Sequence, residues 1–197
     1  MKVIGIVGGI GAGKSTIVAL MNEIKPMTII SADLIGHEIL LKGESAYEQI
    51  IQDFGKDILD DSGEIIRSKL GQIVFGDEGR LNRLNAITHP IILERIKARI
   101  AHAKKVAPSK HIILEAALLL ESGLVDLTDV VIAVYADRNL RVNRVMVREG
   151  LEHDHVLKRM AAQKEWEEMK EAASYIIDNS FSLETTKEQI RQLLGKL

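Results

Sequence analysis

A glycine-rich segment contains the residue types that bind a nucleoside triphosphate. It reads Gly-Gly-Ile-Gly-Ala-Gly-Lys-Ser over residues 8–15 and follows the apolar run Val3–Val7. The spacing is G-x-x-x-x-G-K-S, in which glycines let the backbone turn tightly and aim N–H groups at phosphate oxygens. Lys14 supplies a charge for the β- and γ-phosphates, and the Ser15 hydroxyl suits Mg²⁺. The predicted ATP-binding residues of this segment are Gly11, Ala12, Gly13, Lys14, Ser15 and Thr16.

A helical pattern follows this segment directly. Apolar residues recur at the spacing i, i+3, i+4, i+7, which predicts a helix with one apolar face. They are Ile17, Leu20, Met21 and Ile24. The helix should begin at about Gly13 and direct the positive end of its dipole at the phosphates. An ordinary glycine-rich turn, the alternative, requires no such helix.

An aspartate follows the second predicted strand, residues 28–31. Ligands of open α/β sheets bind at the carboxyl ends of strands. Asp33 could therefore accept a proton from a hydroxyl nucleophile or orient Mg²⁺. It could also cap the helix predicted over residues 34–41, and the two roles are compatible.

Four arginines are predicted to lie along one side of a later helix. Asp137 is a plausible N-cap, and Arg138, Arg141, Arg144 and Arg148 follow at spacings of three, three and four. Such a row is usually a solvated surface. In a phosphoryl-transfer enzyme, however, arginine from a mobile lid neutralises the charge of the transition state. The residues alone leave both interpretations open.

A glutamate and two groups of polar residues complete the candidate set. Glu115 follows the third predicted strand and could hold a magnesium-bound water or cap the next turn. Arg159 and Gln163, four residues apart, share a helix face. The six histidines show no spacing typical of zinc ligands, and His89 before a proline could be a helix-entry residue.

The composition excludes several classes of protein. Over 197 residues, 26 basic and 28 acidic side chains give a net charge of −2, so charge gives no reason to expect nucleic acid or a membrane as partner. With no cysteine, disulfides and thiolate metal sites are excluded. The uncharged apolar runs are far shorter than the roughly 20 residues that span a bilayer. We therefore expect a cytoplasmic, soluble enzyme, and no protein partner is evident.

Strand-like and helical patterns alternate along the chain, which predicts an α/β fold with a parallel sheet. The five predicted strands cover residues 3–7, 28–31, 111–114, 130–135 and 175–177.

Some 75 residues between the second and third strands show no strand-like run. A capping box, Ser45-x-x-Glu48, predicts a helix over residues 46–54, and a turn is expected at residues 60–63. Helices are also predicted over residues 67–75 and 79–87, and a separate one after Thr88-His89-Pro90. This helical excursion could form a pocket for a second substrate or serve only for packing.

Together these segments resemble the dephospho-coenzyme A kinase family. The resemblance includes the loop at residues 4–16, Thr88-His89-Pro90 and Arg144-x-x-x-Arg148-Glu-Gly150. The other matching segments are residues 32–38, 67–75, 115–121, 159–163 and 175–179. Glu115 stands where the family commonly has aspartate.

The resemblance implies a three-layer P-loop kinase fold with a five-stranded parallel sheet, a helical substrate subdomain and a lid. Within a single domain of residues 1–197, the core would take about 1–33, 108–137 and 170–197. The coenzyme A subdomain would span about 34–107 and the lid about 138–169.

The resemblance also implies transfer of phosphate from ATP, with Mg²⁺, to the ribose 3′-hydroxyl of dephospho-coenzyme A, the last step of coenzyme A synthesis. The implied catalytic residues are Asp33 as base, Lys14, Arg144 and Arg148, and Asn179 would lie near the adenine. The implied acceptor-binding residues are Asp33, His89, Arg159 and Gln163, with Ser15 and, through water, Glu115 at the metal.

Two other functions are compatible with the loop. Another small P-loop kinase, acting on a nucleoside, sugar or hydroxy acid, shares the loop, the aspartate and the lid. A regulatory GTPase would need a guanine-reading N-K-x-D after a strand, and the fourth predicted strand ends Tyr135-Ala-Asp-Arg instead.

Overall fold

A five-stranded parallel sheet in the order β2-β3-β1-β4-β5 organises the computed structural model, which describes residues 1–197. The strands are β1 Val3–Val7, β2 Thr28–Ser31, β3 Ile112–Glu115, β4 Val130–Tyr135 and β5 Tyr175–Asp178. The predicted α/β fold with five parallel strands is confirmed. The third strand begins one residue later than predicted, and the third and fifth strands each end one residue later.

Eight α-helices and two short 3₁₀ turns connect the strands, and a ninth α-helix follows β5. The helices are α1 Lys14–Ile24, α2 Ala32–Glu38, α3 Tyr47–Phe54, α4 Arg67–Phe75, α5 Glu78–Val106, α6 Arg138–Glu149, α7 His153–Ala161, α8 Trp166–Glu171 and α9 Leu183–Leu194. None of them combines the length and the apolar content needed to cross a membrane. The predicted apolar face of α1 is confirmed, because Ile17, Leu20 and Met21 are buried.

The main core lies between the sheet and helices α1 and α9. Ile4 and Ile6 of β1 are fully buried in the same cluster as Ile17 of α1 and Ile190 of α9. β-branched residues suit a strand that is covered on both faces, and β1 is buried along its whole length. The central strand is thereby fixed, and so is the point at which the glycine loop leaves it.

The strand order creates a crevice at the carboxyl end of the sheet. Strand β1 pairs with β3 on one side and with β4 on the other. The chain leaves β1 toward β2 and leaves β4 toward β5, in opposite directions along the sheet. Loops that diverge in this way leave a ligand-binding crevice between adjacent strands. The loops concerned are the glycine loop and the residues that precede α6.

The chain divides into two compact units, Met1–Ile30 with Ala103–Leu197, and Ser31–His102. The first contains most of the sheet. The second is helical and contains α2, α3, α4 and most of α5. Within it, Arg95 and Arg99 of α5 form ion pairs with Glu44 and Glu38.

Two local predictions in the helical unit are wrong. Ser45 does not cap α3: the N-cap is Ala46, and the Ser45 hydroxyl accepts a hydrogen bond from Arg95. The two helices expected on either side of Pro90 are one helix, α5. A proline removes only one helical hydrogen bond, and both halves of α5 bury isoleucines, Ile87 and Ile96, that hold the helix in place.

His111, in the first unit, is buried, and both of its ring nitrogens lie close to groups that carry N–H protons. The Nδ1 atom of His111 accepts the Lys2 N–H at 3.2 Å, and Nε2 lies 3.1 Å from the Lys25 ammonium. Burial, followed by the positive charges of Lys25, the amino terminus and Lys2, lowers the pKa of His111 below its ordinary 6.5. The folded state therefore favours the neutral ring.

We predict that the free energy of unfolding falls as the pH decreases below 6.5, because the unfolded chain then binds a proton that native His111 does not. His111→Asn keeps an acceptor for the Lys2 N–H but does not titrate. Its melting temperature should therefore fall less between about pH 7 and pH 5 than that of the wild type, as measured by thermal unfolding across this range. Equal slopes for the two proteins would contradict the assignment.

Candidate active site

The carbonyl groups of the glycine loop all accept hydrogen bonds from within the protein. Three of the donors are side chains from outside the loop, on α6 and just after β5. In chain order, Gly8 accepts from Lys14 Nζ (2.6 Å), Gly9 from the Ala12 N–H (3.1 Å), Ile10 from Arg141 Nε (2.9 Å), Gly11 from Arg144 Nη1 (3.4 Å) and Ala12 from Asn179 Nδ2 (2.9 Å). The first bond of α1, from the Ile17 N–H to the Gly13 carbonyl (3.0 Å), continues the series.

These bonds orient the N–H groups of the loop. A peptide unit is planar and trans, so its N–H points opposite to its carbonyl. The N–H groups of Gly9, Gly11 and Gly13 therefore point away from the donors that hold the preceding carbonyls, and none of them has an acceptor within the protein. In the first turn of α1, the N–H groups of Ser15 and Thr16 have no partner within the helix. The loop thus presents a set of N–H donors to an anion.

The conformation of the loop requires glycine at Gly11. Its φ is +78°, in the left-handed region. A Cβ at this position would lie 2.5 Å from the backbone oxygen of Arg141. Both the dihedral angle and the approach of α6 therefore exclude a side chain.

Asn179, which directly follows β5, holds the loop from the other side. The residue is buried, and its N–H donates to the Tyr135 carbonyl at 2.8 Å. Its Oδ1 accepts from the hydroxyl of buried Thr186 at 3.2 Å, which leaves Nδ2 to bind the Ala12 carbonyl. The amide orientation is therefore set by α9, an element that no local pattern connects with the loop.

The four arginines of α6 divide into two groups. The predicted cap is confirmed, since the Asp137 carboxylate accepts the N–H groups of Asn139 and Leu140. Arg141 and Arg144 are half-buried against the loop, and Arg144 also donates to the Asn179 carbonyl at 3.0 Å. Burial lowers the pKa of Arg141.

The outer arginines lie elsewhere. Arg138 is exposed. Arg148 and Arg159 both form ion pairs with Glu149, and the hydrogen bond from Arg148 is the main cause of the lowered pKa of this carboxyl group. The structure thus places Arg148 beside Arg159 rather than in contact with the loop.

Gln163 reaches the loop although it is 153 residues away in sequence. Its Oε1 accepts the Ile10 N–H at 2.7 Å. The Ile10 side chain packs against an apolar cluster of α6 and α7 that includes Val142, Val145 and Val156. Ile10, at the apex of the loop, is therefore held by one hydrogen bond at its N–H, another at its carbonyl and an apolar contact of its side chain.

Two oxygen-bearing side chains are available for a cation. The Ser15 hydroxyl is exposed and has no hydrogen-bond partner. Glu115 is half-buried at the last position of β3, and its register partner is Ile6, one residue before the end of β1. A hydroxyl and a carboxylate are hard oxygen ligands of the kind Mg²⁺ prefers, with phosphate oxygens and waters as its other ligands.

Asp33 and His89 belong to the helical unit. The hydroxyl of Ser31, not the Asp33 carboxylate, caps α2 by accepting the Leu34 N–H at 3.3 Å. Capping therefore does not explain Asp33, which lies exposed in the first turn of the helix. His89 is exposed in the middle of α5 and is not the helix-entry residue that its position before Pro90 indicated.

Comparisons with known proteins agree with one another. The family model described as dephospho-CoA kinase matches residues 2–185. A dephospho-CoA kinase of Carboxydothermus hydrogenoformans is 41% identical over 198 residues, covering 100% of this chain and 94% of that protein. A solved dephospho-CoA kinase of Campylobacter jejuni is 29% identical, with a TM-score of 0.75 and 98% and 96% of the two chains covered. A crystal structure from Thermus thermophilus has a TM-score of 0.83 at 30% identity, covering 99% and 97%.

We predict that Gly11→Ala abolishes most nucleotide binding, since its Cβ meets the Arg141 backbone and displaces the loop. The matched control is Gly123→Ala, where φ is +70° and nothing lies within 4 Å of the added Cβ. Both variants should lose stability, by roughly 1–2 kcal/mol of backbone strain. Titration calorimetry should show at least about a tenfold loss of ADP affinity, or about 1.4 kcal/mol, for Gly11→Ala alone. Equal affinities in the two variants would contradict the model of the loop.

Proposed function

The chain belongs to the dephospho-CoA kinase family, and on that premise we propose that it transfers the γ-phosphoryl group of ATP to the ribose 3′-hydroxyl of dephospho-coenzyme A. The family phosphorylates dephospho-coenzyme A, a small-molecule substrate, in the final step of coenzyme A biosynthesis.

The glycine loop carries the proposal. With its carbonyls held by donors elsewhere, the N–H groups of Gly11 and Gly13 are free to bind phosphate oxygens. The amino-terminal end of α1, with Ser15 and Thr16, adds further N–H donors and the positive end of the helix dipole. The Lys14 ammonium, which donates to the Gly8 carbonyl at 2.6 Å, would bind the β- and γ-phosphates.

Adenine and magnesium would bind beside the phosphates. Asn179 lies against the loop and would flank the adenine. The Ser15 hydroxyl would be a direct ligand of Mg²⁺, and Glu115 would hold a water of the metal. The ion would supply positive charge to the β- and γ-phosphate oxygens.

Two arginines would neutralise the transferring group. Arg144 already lies against Gly11 and would need no large movement to reach a phosphate. Arg148 is paired with Glu149 and would have to exchange that carboxylate for a phosphate when the proposed lid, residues 138–169, closes. Closure would also exclude water from the transferring phosphate.

Asp33 would act as general base and accept the proton of the 3′-hydroxyl as it attacks. The helical unit that contains Asp33 and His89 would hold the acceptor, in line with the proposed coenzyme A subdomain at residues 34–107. Arg159 would contact the acceptor as well. So would the amide NH₂ of Gln163, since only its Oε1 is used by the loop. We place this reaction in the cytoplasm, in line with the sequence-based expectation.

The experiment that tests the acceptor is a coupled ADP-release assay with ATP and Mg²⁺. Dephospho-coenzyme A should be phosphorylated efficiently, and adenosine, AMP, shikimate and gluconate far more slowly. Binding energy from the pantetheine arm should help to orient the 3′-hydroxyl, so its loss should lower kcat as well as raise KM. Coenzyme A, whose 3′-position is occupied, is the control that should give no turnover. A preference for any acceptor without the pantetheine arm would contradict the proposal.

We predict that Asp33→Asn lowers kcat but not stability, and that Ser31→Ala lowers stability but not kcat. Removing a general base lowers kcat by about 10²–10⁴-fold, and the asparagine should leave the melting temperature almost unchanged. Removing the helix cap lowers the free energy of unfolding by about 0.5–2 kcal/mol and should leave kcat nearly intact. Thermal unfolding and steady-state kinetics of both variants check this. A kcat near wild type in Asp33→Asn would eliminate Asp33 as the base.

A further inference from the structure

Arg141 contacts three consecutive residues at the apex of the glycine loop. Its Nε donates to the Ile10 carbonyl at 2.9 Å. Its guanidinium covers Gly9 so closely that a Cβ there would lie 2.1 Å from Nη2. Its own backbone oxygen occupies the space beside Gly11.

The bond to Ile10 determines where one N–H donor of the loop points. The Ile10 carbonyl and the Gly11 N–H belong to the same planar peptide, so fixing one fixes the other. Gln163 and the Ala12 N–H hold the preceding peptide in the same way, through the Ile10 N–H and the Gly9 carbonyl. The peptide between Ile10 and Gly11 is held by Arg141 at its carbonyl and by nothing at its N–H.

The charge of Arg141 is not compensated by a carboxylate. Arg141 is half-buried and forms no ion pair within the chain, and burial lowers its pKa. Two roles are therefore distinguishable: holding the peptide, or attracting the phosphates directly.

We propose that Arg141 is a positioning residue for the reaction, which fixes the Gly11 N–H toward the phosphates through the Nε bond to the Ile10 carbonyl. The inference rests on the proposed binding of ATP by the loop. It deepens that proposal by assigning a residue that the sequence showed only as one member of an arginine row. The guanidinium charge is secondary in this role.

Three substitutions separate the bond from the charge. Arg141→Gln carries an N–H donor the same number of bonds from Cβ as Nε, and it lacks the charge. Arg141→Met introduces a side chain about as long as glutamine that has no hydrogen-bond donor. Arg141→Lys keeps the charge but has a methylene where Nε was. Arg138→Met, one turn earlier on the exposed side of α6, is the control for the loss of one positive charge.

The measurements are ADP affinity by calorimetry, with Mg²⁺, and steady-state kinetics with both substrates varied. Arg141→Met should weaken ADP binding and raise KM for ATP about tenfold, as the loss of one hydrogen bond implies. KM for dephospho-coenzyme A should not change. The ADP affinity and the KM for ATP of Arg141→Gln should stay within about threefold of wild type, because its amide can still donate to the Ile10 carbonyl. The same holds for Arg138→Met, because Arg138 makes no bond to Ile10.

Near-wild-type values for Arg141→Met would overturn the proposal, and so would an equal loss in Arg141→Gln. A purely structural role would lower the melting temperature without separating the KM values of the two substrates, and that result would overturn it as well. If Arg141→Met does not fold, Arg141→Lys replaces it. Weaker ADP binding in Arg141→Lys together with near-wild-type ADP binding in Arg141→Gln supports the proposal. Any other result overturns it. Wild-type protein that binds no ADP would contradict the proposed function, and this inference with it.

Discussion

The hydrogen bonds that hold the carbonyl groups of the glycine loop are the constraint on which the rest of the site depends. An N–H can face a phosphate only if the carbonyl of its peptide faces elsewhere, and a buried carbonyl without a donor costs about 1–3 kcal/mol. Donors must therefore surround the loop on its outer side. Lys14 and Ala12 come from the loop itself, whereas Arg141, Arg144 and Asn179 come from elements more than 120 residues away.

The topology of the sheet brings those donors to one place. Strands β1, β4 and β5 are neighbours in the sheet and run parallel, so their carboxyl ends lie at the same edge. The loop follows β1, α6 follows β4, and Asn179 follows β5. A different strand order would separate Asn179 from the loop. The fold thus acts on the chemistry by orienting peptide groups before any ligand binds, which is the preorganisation that phosphoryl transfer requires.

Several charged side chains of the site also form hydrogen bonds with the backbone. The spacing of charged residues in the sequence therefore does not show which of them are available to a ligand. Arg144 donates to two carbonyls, those of Gly11 and Asn179. Arg148 and Arg159 share the carboxylate of Glu149, a residue to which the sequence assigned no role. The spacing of three and four predicts that the arginines share a helix face. Only the arginines in the part of α6 that lies beside the loop, Arg141 and Arg144, contact it.

The sequence by itself determined the features that a short segment can encode. These are the loop, the apolar face of α1, the five strands and the cap at Asp137, because each depends on residues within one turn or one strand of each other. Tertiary structure decided what depends on distant partners: Ser31 rather than Asp33 caps α2, and α5 continues through Pro90 because buried isoleucines hold both of its halves. It also decided that Arg141 binds Ile10, since no local pattern shows which carbonyl a guanidinium 131 residues away will meet.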